Sequence, residues 1–329
     1  MFAYLLRRLL GLTLVLVAMT FSVFFLQNVL PSDPARSLAG PMAPLSRVEE
    51  LRQELGLNDS IATQYGRFLA RLVHGDLGTS IRTRQPVIAD IRERLPASLE
   101  LSGAAFALGL GFATLAGIFP LIFKNARPLQ YLLTVAASIP IFATALLLAY
   151  TFWFQLGWLP GSGRMGDRYC SGPTGLNILD GLLKGEPAAS LDALAHILLP
   201  ALALALPIAI AVGRTMSSSL VDVMRQPYIG TARGKGLSES RVVLRHAVRN
   251  SSPVVLAMIA LQFRLLFGNL LVVELVFGWP GLGFYMVQSL ATADSPAVLG
   301  VTIVLGIFYL TVSVITEVLQ TWADPRIEL

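Results

Sequence analysis

The sequence predicts an all-α membrane protein with six transmembrane helices, and three observations carry that expectation. Of 329 residues, 54% are hydrophobic and 14% charged, where an ordinary soluble domain carries roughly a quarter charged residues. The apolar residues gather into separate blocks of helical length, flanked by arginine, glycine or proline. The charges, finally, divide unevenly between the intervening segments. Glycine at 28 and proline at 19 support neither a collagenous nor a disordered chain. A single cysteine, Cys170, excludes an intrachain disulfide framework and a multi-cysteine metal site.

The first block, 9–30, holds no charge and would make about 33 Å of helix, enough to cross a bilayer. Arg7 and Arg8 before it mimic the basic region of a signal peptide. The apolar run is longer than a usual signal core and no clear small-x-small cleavage pattern follows, so the helix is expected to be retained. Further blocks run over 99–123, 129–156, 194–212, 253–275 and 297–319. The fourth contains Pro200 and Pro207, and the fifth contains Gln262, Arg264, Asn269 and Glu274. Such residues suit helices that face protein or a polar path better than helices bathed in lipid. The prolines suit an ordinary kink equally well.

Charge sets the orientation. One set of sides holds Arg7 and Arg8, then Lys124 and Arg127, then seven basic residues from Arg214 to Arg249 against Asp222 and Glu239, and finally Arg326. The other holds Arg164, Arg168 and Lys184, offset by Asp167, Asp180, Glu186 and Asp192, and a 277–296 connection without lysine or arginine. Positive-inside bias then places both termini in the cytoplasm. The chain divides into 1–30, a cytoplasmic N-terminus and first span; 31–98, a long extracytoplasmic segment with short helices; and 99–329, the remaining spans, with a cytoplasmic loop at 215–250.

The 31–98 segment carries helical periodicity at 47–55 and 61–72, which suits a folded cap or brace, or contact with a soluble partner. In the 157–192 segment glycines mark turns, and Cys170 finds no histidine or second cysteine as partner, so it reads as an incidental thiol. The 215–250 loop is too polar to insert. It reads as a short helix from about Tyr228, a break at Gly234 to Gly236, and a second helix after Ser238, a residue suited to an N-cap. Arg241, Arg245 and Arg249 recur every four residues, with Val243, Leu244, Ala247 and Val248 on an apolar side. Three uses compete for this element: a charged loop enforcing topology or touching lipid phosphates, docking into a cytoplasmic protein, and nucleic-acid binding, which the small patch without interleaved aromatics disfavours.

The remaining residues point to no catalytic or metal site and to no cofactor held by this chain. His74, His196 and His246 fall on different sides of the membrane. GTARGKG at Gly230 to Gly236 lacks the spacing and the hydroxyl residue of a phosphate-binding GxxxxGK[ST] loop, and no G-x-S-x-G turn presents a serine nucleophile. Arg264 and Glu274, ten residues and about 15 Å apart along a helix, cannot pair with each other in a straight span. Each either faces a partner or polar path, or snorkels from a position near the span end.

Many phrases occur in an order that resembles one family: YLLRRLL at 4–10, DPAR at 33–36, ELGL at 54–57, GDLGTS at 75–80, ERLPASLEL at 93–101, GWLPGSG at 157–163, HILLPALALAL at 196–206, TARGKGLSESRVVLRHAVRN at 231–250, VFGWPGLG at 276–283 and DPRI at 324–327. Over nearly its whole length the chain is similar to permease subunits of dipeptide/oligopeptide ATP-binding cassette importers, a branch that includes glutathione and nickel systems. The resemblance implies a type I importer permease fold, and a coupling segment, inserted into a groove of an ATP-binding subunit, formed by Tyr228, Thr231, Ala232, Arg233, Lys235, Gly236, Leu237, Arg241 and Arg245. Gly230 and Gly234 depart from the usual pattern and weaken local helicity by about 1 kcal/mol each. It further implies a second permease subunit, two ATP-binding subunits that hold ATP and magnesium, and an extracytoplasmic binding protein, with no nucleic acid. Gln262, Arg264, Asn269 and Glu274 become candidates for a translocation path or subunit interface, and Trp279, Pro280 and Gly281 for receptor docking or an external gate. The opposing reading is a membrane scaffold without transport activity.

Overall fold

The computed structural model describes residues 2–29, 34–40, 42–54, 56–122, 135, 138–166 and 172–323. Expectations resting on Asp33, Lys124, Arg127, Asp167, Arg168, Cys170 and the 324–327 run lie outside the described residues. Helices occur in the order α1 (Phe2–Val29), α2 (Pro34–Ala39), α3 (Leu45–Glu54), α4 (Ile61–Val73), α5 (Val87–Ile122), α6 (Ile141–Leu148), α7 (Asn177–Leu183), α8 (Pro187–Met224), α9 (Pro227–Gly234), α10 (Glu239–Val242), α11 (Val248–Val276), α12 (Leu282–Ala291) and α13 (Ser295–Ala323). π-helical turns extend α6 over Ala149–Gln155 and join α10 to α11 over Val243–Ala247. Among the described residues the extended pairing is a lone antiparallel bridge between Thr79 and Pro86.

The expectation of six spans is corrected to four. Among the described residues, Val87–Ile118, Pro187–Met224, Glu239–Val276 and Ser295–Val318 are the helices long and apolar enough to cross a membrane. The first sequence block contributes a described apolar stretch of Thr13–Phe25, and the third one of Ile141–Gln155. At 1.5 Å per residue the second of these reaches about 22 Å, short of a hydrocarbon core of about 30 Å. The third is cut short because Pro140, at φ −58° and ψ 144°, stands in extended backbone as the N-cap of α6 and removes a donor where a longer helix would need one.

Two compact units divide the chain, one of residues 1–96 and 280–310, the other of 97–279 and 311–329. In the first, Tyr65, Phe68, Leu77, Val87, Ile91, Leu282, Tyr285 and Leu299 form the core. Tyr65 is held at both ends of its chemistry: its ring meets Phe21, Phe24 and Phe68, while its hydroxyl donates to Val17 O at 3.0 Å and lies 2.9 Å from Thr20 Oγ1. Asp294 caps α13, accepting Ala297 N–H at 3.3 Å, and also takes the Ser80 hydroxyl. Asp90 accepts Thr83 Oγ1 at 2.6 Å and Tyr285 hydroxyl at 2.7 Å. Arg82 and Arg94 lie over the Tyr285 ring at 5.3 and 4.8 Å, so two buried carboxylates and two guanidinium groups are joined around one phenol. Burial, then the Asp90 hydrogen bond, push the Tyr285 hydroxyl above its ordinary pKa.

In the second unit α8 is the central post. Seventeen of its residues are buried, and seven of them, among them Leu199, Leu204 and Ile208, meet Leu101, Ala105 and Ala113 of α5 and Leu266, Leu270 and Val273 of α11 in one core. Small residues bring α5 and α8 together: a Cβ on Gly109 would stand 2.8 Å from Ile208 Cβ and 3.1 Å from Ala205 O, and one on Gly213 would stand 3.2 Å from Ala113 O. Close backbone approach of this kind is how apolar helices gain contact where no water drives them together. α8 passes through Pro200 and Pro207 as one helix.

Candidate functional site

The polar loop after α8 folds into a wedge with its own core. Pro227 starts α9 at the position where a missing N–H costs nothing. The helix closes in a Schellman motif: Leu237 N–H returns to Ala232 O at 3.4 Å and Gly236 N–H to Arg233 O at 2.9 Å, with Gly236 at φ +77°. Ile229, Ala232 and Val242 are buried against one another, with Val223, Met224 and Leu237 packed on them. Arg233 reaches across the break, Nε to Glu239 Oε1 at 2.7 Å and Nη2 to Oε2 at 3.2 Å. That hydrogen bond raises the Arg233 guanidinium pKa above its ordinary value. Tyr228, Thr231, Lys235, Arg241 and Arg245 are exposed on the outside of the wedge.

The structure redraws the amphipathic pattern after Ser238. Ser238 stands at the N-cap position, with extended backbone at φ −64° and ψ 148°, but makes no side-chain cap bond. A π-helical turn follows, and its wider winding moves Arg245 out of strict four-residue register with Arg241. Val242 and Ala247 are the buried residues here, while Leu244 is 67% exposed.

The four polar residues of α11 separate. Gln262 and Asn269 line a cavity. Arg264 donates from Nη2 to Ser313 Oγ at 3.2 Å, and Ser313 in turn donates to Glu317 Oε1 at 3.3 Å. Glu274 is fully buried and accepts the Ser98 hydroxyl at 2.6 Å. α11 ends as α9 does: Trp279 N–H returns to Glu274 O at 2.8 Å and Gly278 N–H to Leu275 O at 3.3 Å, with Gly278 at φ +56°. Trp279 is 1% exposed and donates Nε1–H to Ala97 O at 2.9 Å. Pro280 is exposed, and Gly281 is the N-cap of α12.

Near Trp279, Arg164 lies 5.9 Å from the indole ring and pairs with Glu100 Oε2 at 2.5 Å. Glu100 Oε1 takes Ile178 N–H at 2.9 Å. Sequence reasoning missed this pair; the one available signal was an acid isolated in an otherwise apolar run.

The cavity, of about 860 Å³, lies within the second unit, between α8, α11 and the residues that lead into α6. Its α8 wall changes character along the helix, from Leu206, Pro207, Ile210 and Ala211 to Arg214, Thr215, Ser218, Ser219 and Asp222, and Gln226 beyond the helix end completes it. Gln226 is followed at once by the wedge. Arg214 and Asp222 also escaped sequence reasoning as site residues, because they were counted there only as loop charges. Among the described residues no three His, Cys, Asp or Glu gather as a metal site.

Four long apolar helices, a half-polar cavity between two of them and a folded wedge beyond it describe a multi-pass membrane protein. Comparison with known proteins gives the class its name. The chain belongs to the binding-protein-dependent transport system inner membrane component family: residues 95–329 match that family's model, and residues 1–102 match the model of its N-terminal region. It is 37% identical over 324 residues to the probable D,D-dipeptide transport system permease protein DdpB of Escherichia coli K12, covering 96% of this chain and 95% of that one. It is 33% identical to the dipeptide transport system permease protein DppB of Alkalihalophilus pseudofirmus, with 100% of both chains covered. With the glutathione transport system permease protein GsiC of Escherichia coli K12 it shares 34% identity over 99% of both. Among solved structures, an inward-facing MetNI methionine ABC transporter aligns with a TM-score of 0.48 at 14% identity, over 72% of this chain and 96% of that chain. The chain is an inner-membrane permease subunit of an ATP-binding cassette importer, in the branch that holds these relatives.

Proposed function

We propose that this chain, with a second related permease subunit, forms the path by which short peptides handed over by an extracytoplasmic binding protein cross the membrane. Two separate ATP-binding subunits, which hold ATP and magnesium, drive it. The observation that carries the reading is the continuity of α8. One helix, Pro187–Met224, supplies a wall of the cavity, and its last residues, Val223 and Met224, pack on the core of the wedge across the two-residue link of Arg225 and Gln226, so a force applied to the wedge bears on the cavity wall.

ATP binding closes the partner subunits and displaces the grooves that hold the wedge. The exposed Tyr228, Thr231, Lys235, Arg241 and Arg245 meet the groove, while Arg233, bound to Glu239, keeps α9 and α10 at a fixed angle. Ala232, Gly236 and Leu237 maintain the turn itself. The displacement tilts α8 against α11, and the cavity opens to one face of the membrane or the other. At the far end of α11, Trp279 anchors the helix terminus, and Pro280 and Gly281, the next residues of the chain, belong to an external gate. Arg264 and Glu274 bind within the chain and hold helices together, whereas Gln262 and Asn269 face the path.

Short peptides are the substrate class because the relatives above are named for dipeptide, D,D-dipeptide and glutathione transport. The test is reconstitution of the whole complex in lipid, with uptake measured against ATP and receptor. Uptake that requires both is the expected result. Lys235→Glu is expected to weaken association of the ATP-binding subunits; uptake without ATP or receptor would overturn the assignment.

A further inference from the structure

Arg214 and Asp222 are the charged residues of the cavity wall. Both are exposed, and neither side chain makes a hydrogen bond or ion pair among the described residues. What sets the pair apart from the exposed charges of the wedge is its place: the two opposite charges line one cavity, at the two ends of its polar stretch on α8, with hydroxyl groups between them. Eight residues of helix separate them by about 12 Å along the axis, with Ser218 midway.

We infer that Arg214 and Asp222 form a two-charge site for the termini of a zwitterionic peptide of two or three residues, the carboxylate on Arg214 and the ammonium group on Asp222. The inference rests on the proposed peptide transport and adds the groups by which this chain itself would hold the substrate. A guanidinium presents a planar fork that matches a carboxylate with two parallel hydrogen bonds. A carboxylate accepts from an ammonium group. The backbone spacing of about 12 Å exceeds the ~7 Å of an extended dipeptide at ~3.5 Å per residue, and the two side chains, with a hydrogen bond of about 3 Å at each end, span the difference. Thr215, Ser218, Ser219 and Gln262 offer neutral donors and acceptors to the peptide group between the termini. The apolar end of the cavity makes no demand on side-chain identity, so the site selects for free ends and length and tolerates varied sequence. Blocking either terminus leaves one charge of the site facing a neutral group, and discrimination of that kind is the larger where the wall cannot otherwise satisfy the charge.

The site can be read without the receptor. In a Cys170→Ser background, Ser218→Cys places a single thiol of this chain between the two charges. The full complex, in lipid nanodiscs open to both faces, is alkylated with a small thiol reagent in the presence of Ala-Ala, N-acetyl-Ala-Ala or Ala-Ala amide, and the modified peptide is quantified by mass spectrometry. Ala-Ala is expected to slow alkylation at least about fivefold, as charge-assisted bonds at both ends allow, and each blocked form to slow it far less. Arg214→Gln is expected to abolish the difference between Ala-Ala and its amide, and Asp222→Asn the difference between Ala-Ala and its N-acetyl form. Equal protection by all three ligands, or by none, overturns the inference. So does a thiol that reacts only after the second permease is removed, since this face would then be a subunit contact. If the Ser218→Cys complex fails to assemble, Ser219→Cys gives the same reading from the adjacent position. ATP- and receptor-dependent uptake of Ala-Ala is measured on the same preparation: its absence sinks the proposed function, whereas uptake with undifferentiated protection sinks only the two-charge site.

Discussion

Asp180 of α7 is fully buried, and burial alone would raise its pKa. Against that, Thr174 donates its hydroxyl at 2.7 Å and its N–H at 3.1 Å to Oδ1, and these bonds hold the carboxyl below its ordinary value. A lowered folded pKa means stability that is present above the unfolded value of about 3.9 and is lost as pH falls through the folded one. Thr174→Val removes the hydroxyl bond and keeps the burial, so the carboxyl rises. The variant is expected to lose thermal stability at about pH 4–5, where the parent is still stable; identical pH profiles would show that the bond contributes nothing. Arg233 poses a second question at this scale, because its exposed guanidinium is bound to Glu239 across the turn, so its charge has a partner within the wedge as well as access to its surface. Glu239→Gln is expected to weaken coupling of ATP hydrolysis to uptake without touching the exposed cations. Exchanging the two residues, Arg233→Glu with Glu239→Arg, is expected to restore it. Failure of the exchange to rescue would place Arg233 at the docking surface itself.

At the scale of elements, the wedge is a structure of some twenty residues with a core of three buried side chains, so its turn matters more than its helix propensities. Gly236 sits at φ +77° with nothing within 4 Å of an added Cβ, so Gly236→Ala tests backbone strain free of crowding. It should cost about 1–2 kcal/mol and loosen the Schellman closure, seen as faster amide exchange at Leu237 and as receptor-stimulated ATP hydrolysis that no longer tracks uptake. Exchange and coupling equal to the parent would mean that the turn is not what fixes the wedge. The break between α9 and α10 was legible because Gly-Lys-Gly-Leu-Ser is local chemistry: a left-handed glycine, then a capping position. The π-helical turn at Val243 to Ala247 was not, since nothing in Val-Leu-Arg-His-Ala marks a shift from four-residue to five-residue bonding. Trp279 was hidden for another reason. Phe-Gly-Trp-Pro-Gly reads as an exposed turn, and only packing against Ala97 and Arg164 makes its indole a buried anchor. The cavity charges were equally out of reach, because periodicity places Arg214 and Asp222 on a helix but does not say what that helix faces.

For the molecule as a whole, composition was enough to reach a multi-pass membrane protein, but not its number of spans. Counting apolar residues treats 129–156 as one block, although Pro140 divides it. What survives the change from six to four is the single crossing between the wedge and the turn at Trp279: Glu239–Val276 is a span by length and hydropathy. The basic residues Arg233, Lys235, Arg241 and Arg245 stand at its start, and the connection after it carries no lysine or arginine. By the positive-inside rule that asymmetry predicts that the helix starts in the cytoplasm. Ser240→Cys and Thr292→Cys, each in a Cys170→Ser background, should therefore label from opposite sides. In intact spheroplasts a membrane-impermeant maleimide is expected to modify the thiol at 292 and spare the thiol at 240; in inverted vesicles the pattern should reverse. Ser240 and Thr292 are both exposed, so protection by the chain's own packing does not confuse the result. Labelling of both thiols from one side would mean that the helix between them does not cross, and would remove the basis for placing the wedge on the ATP-binding side.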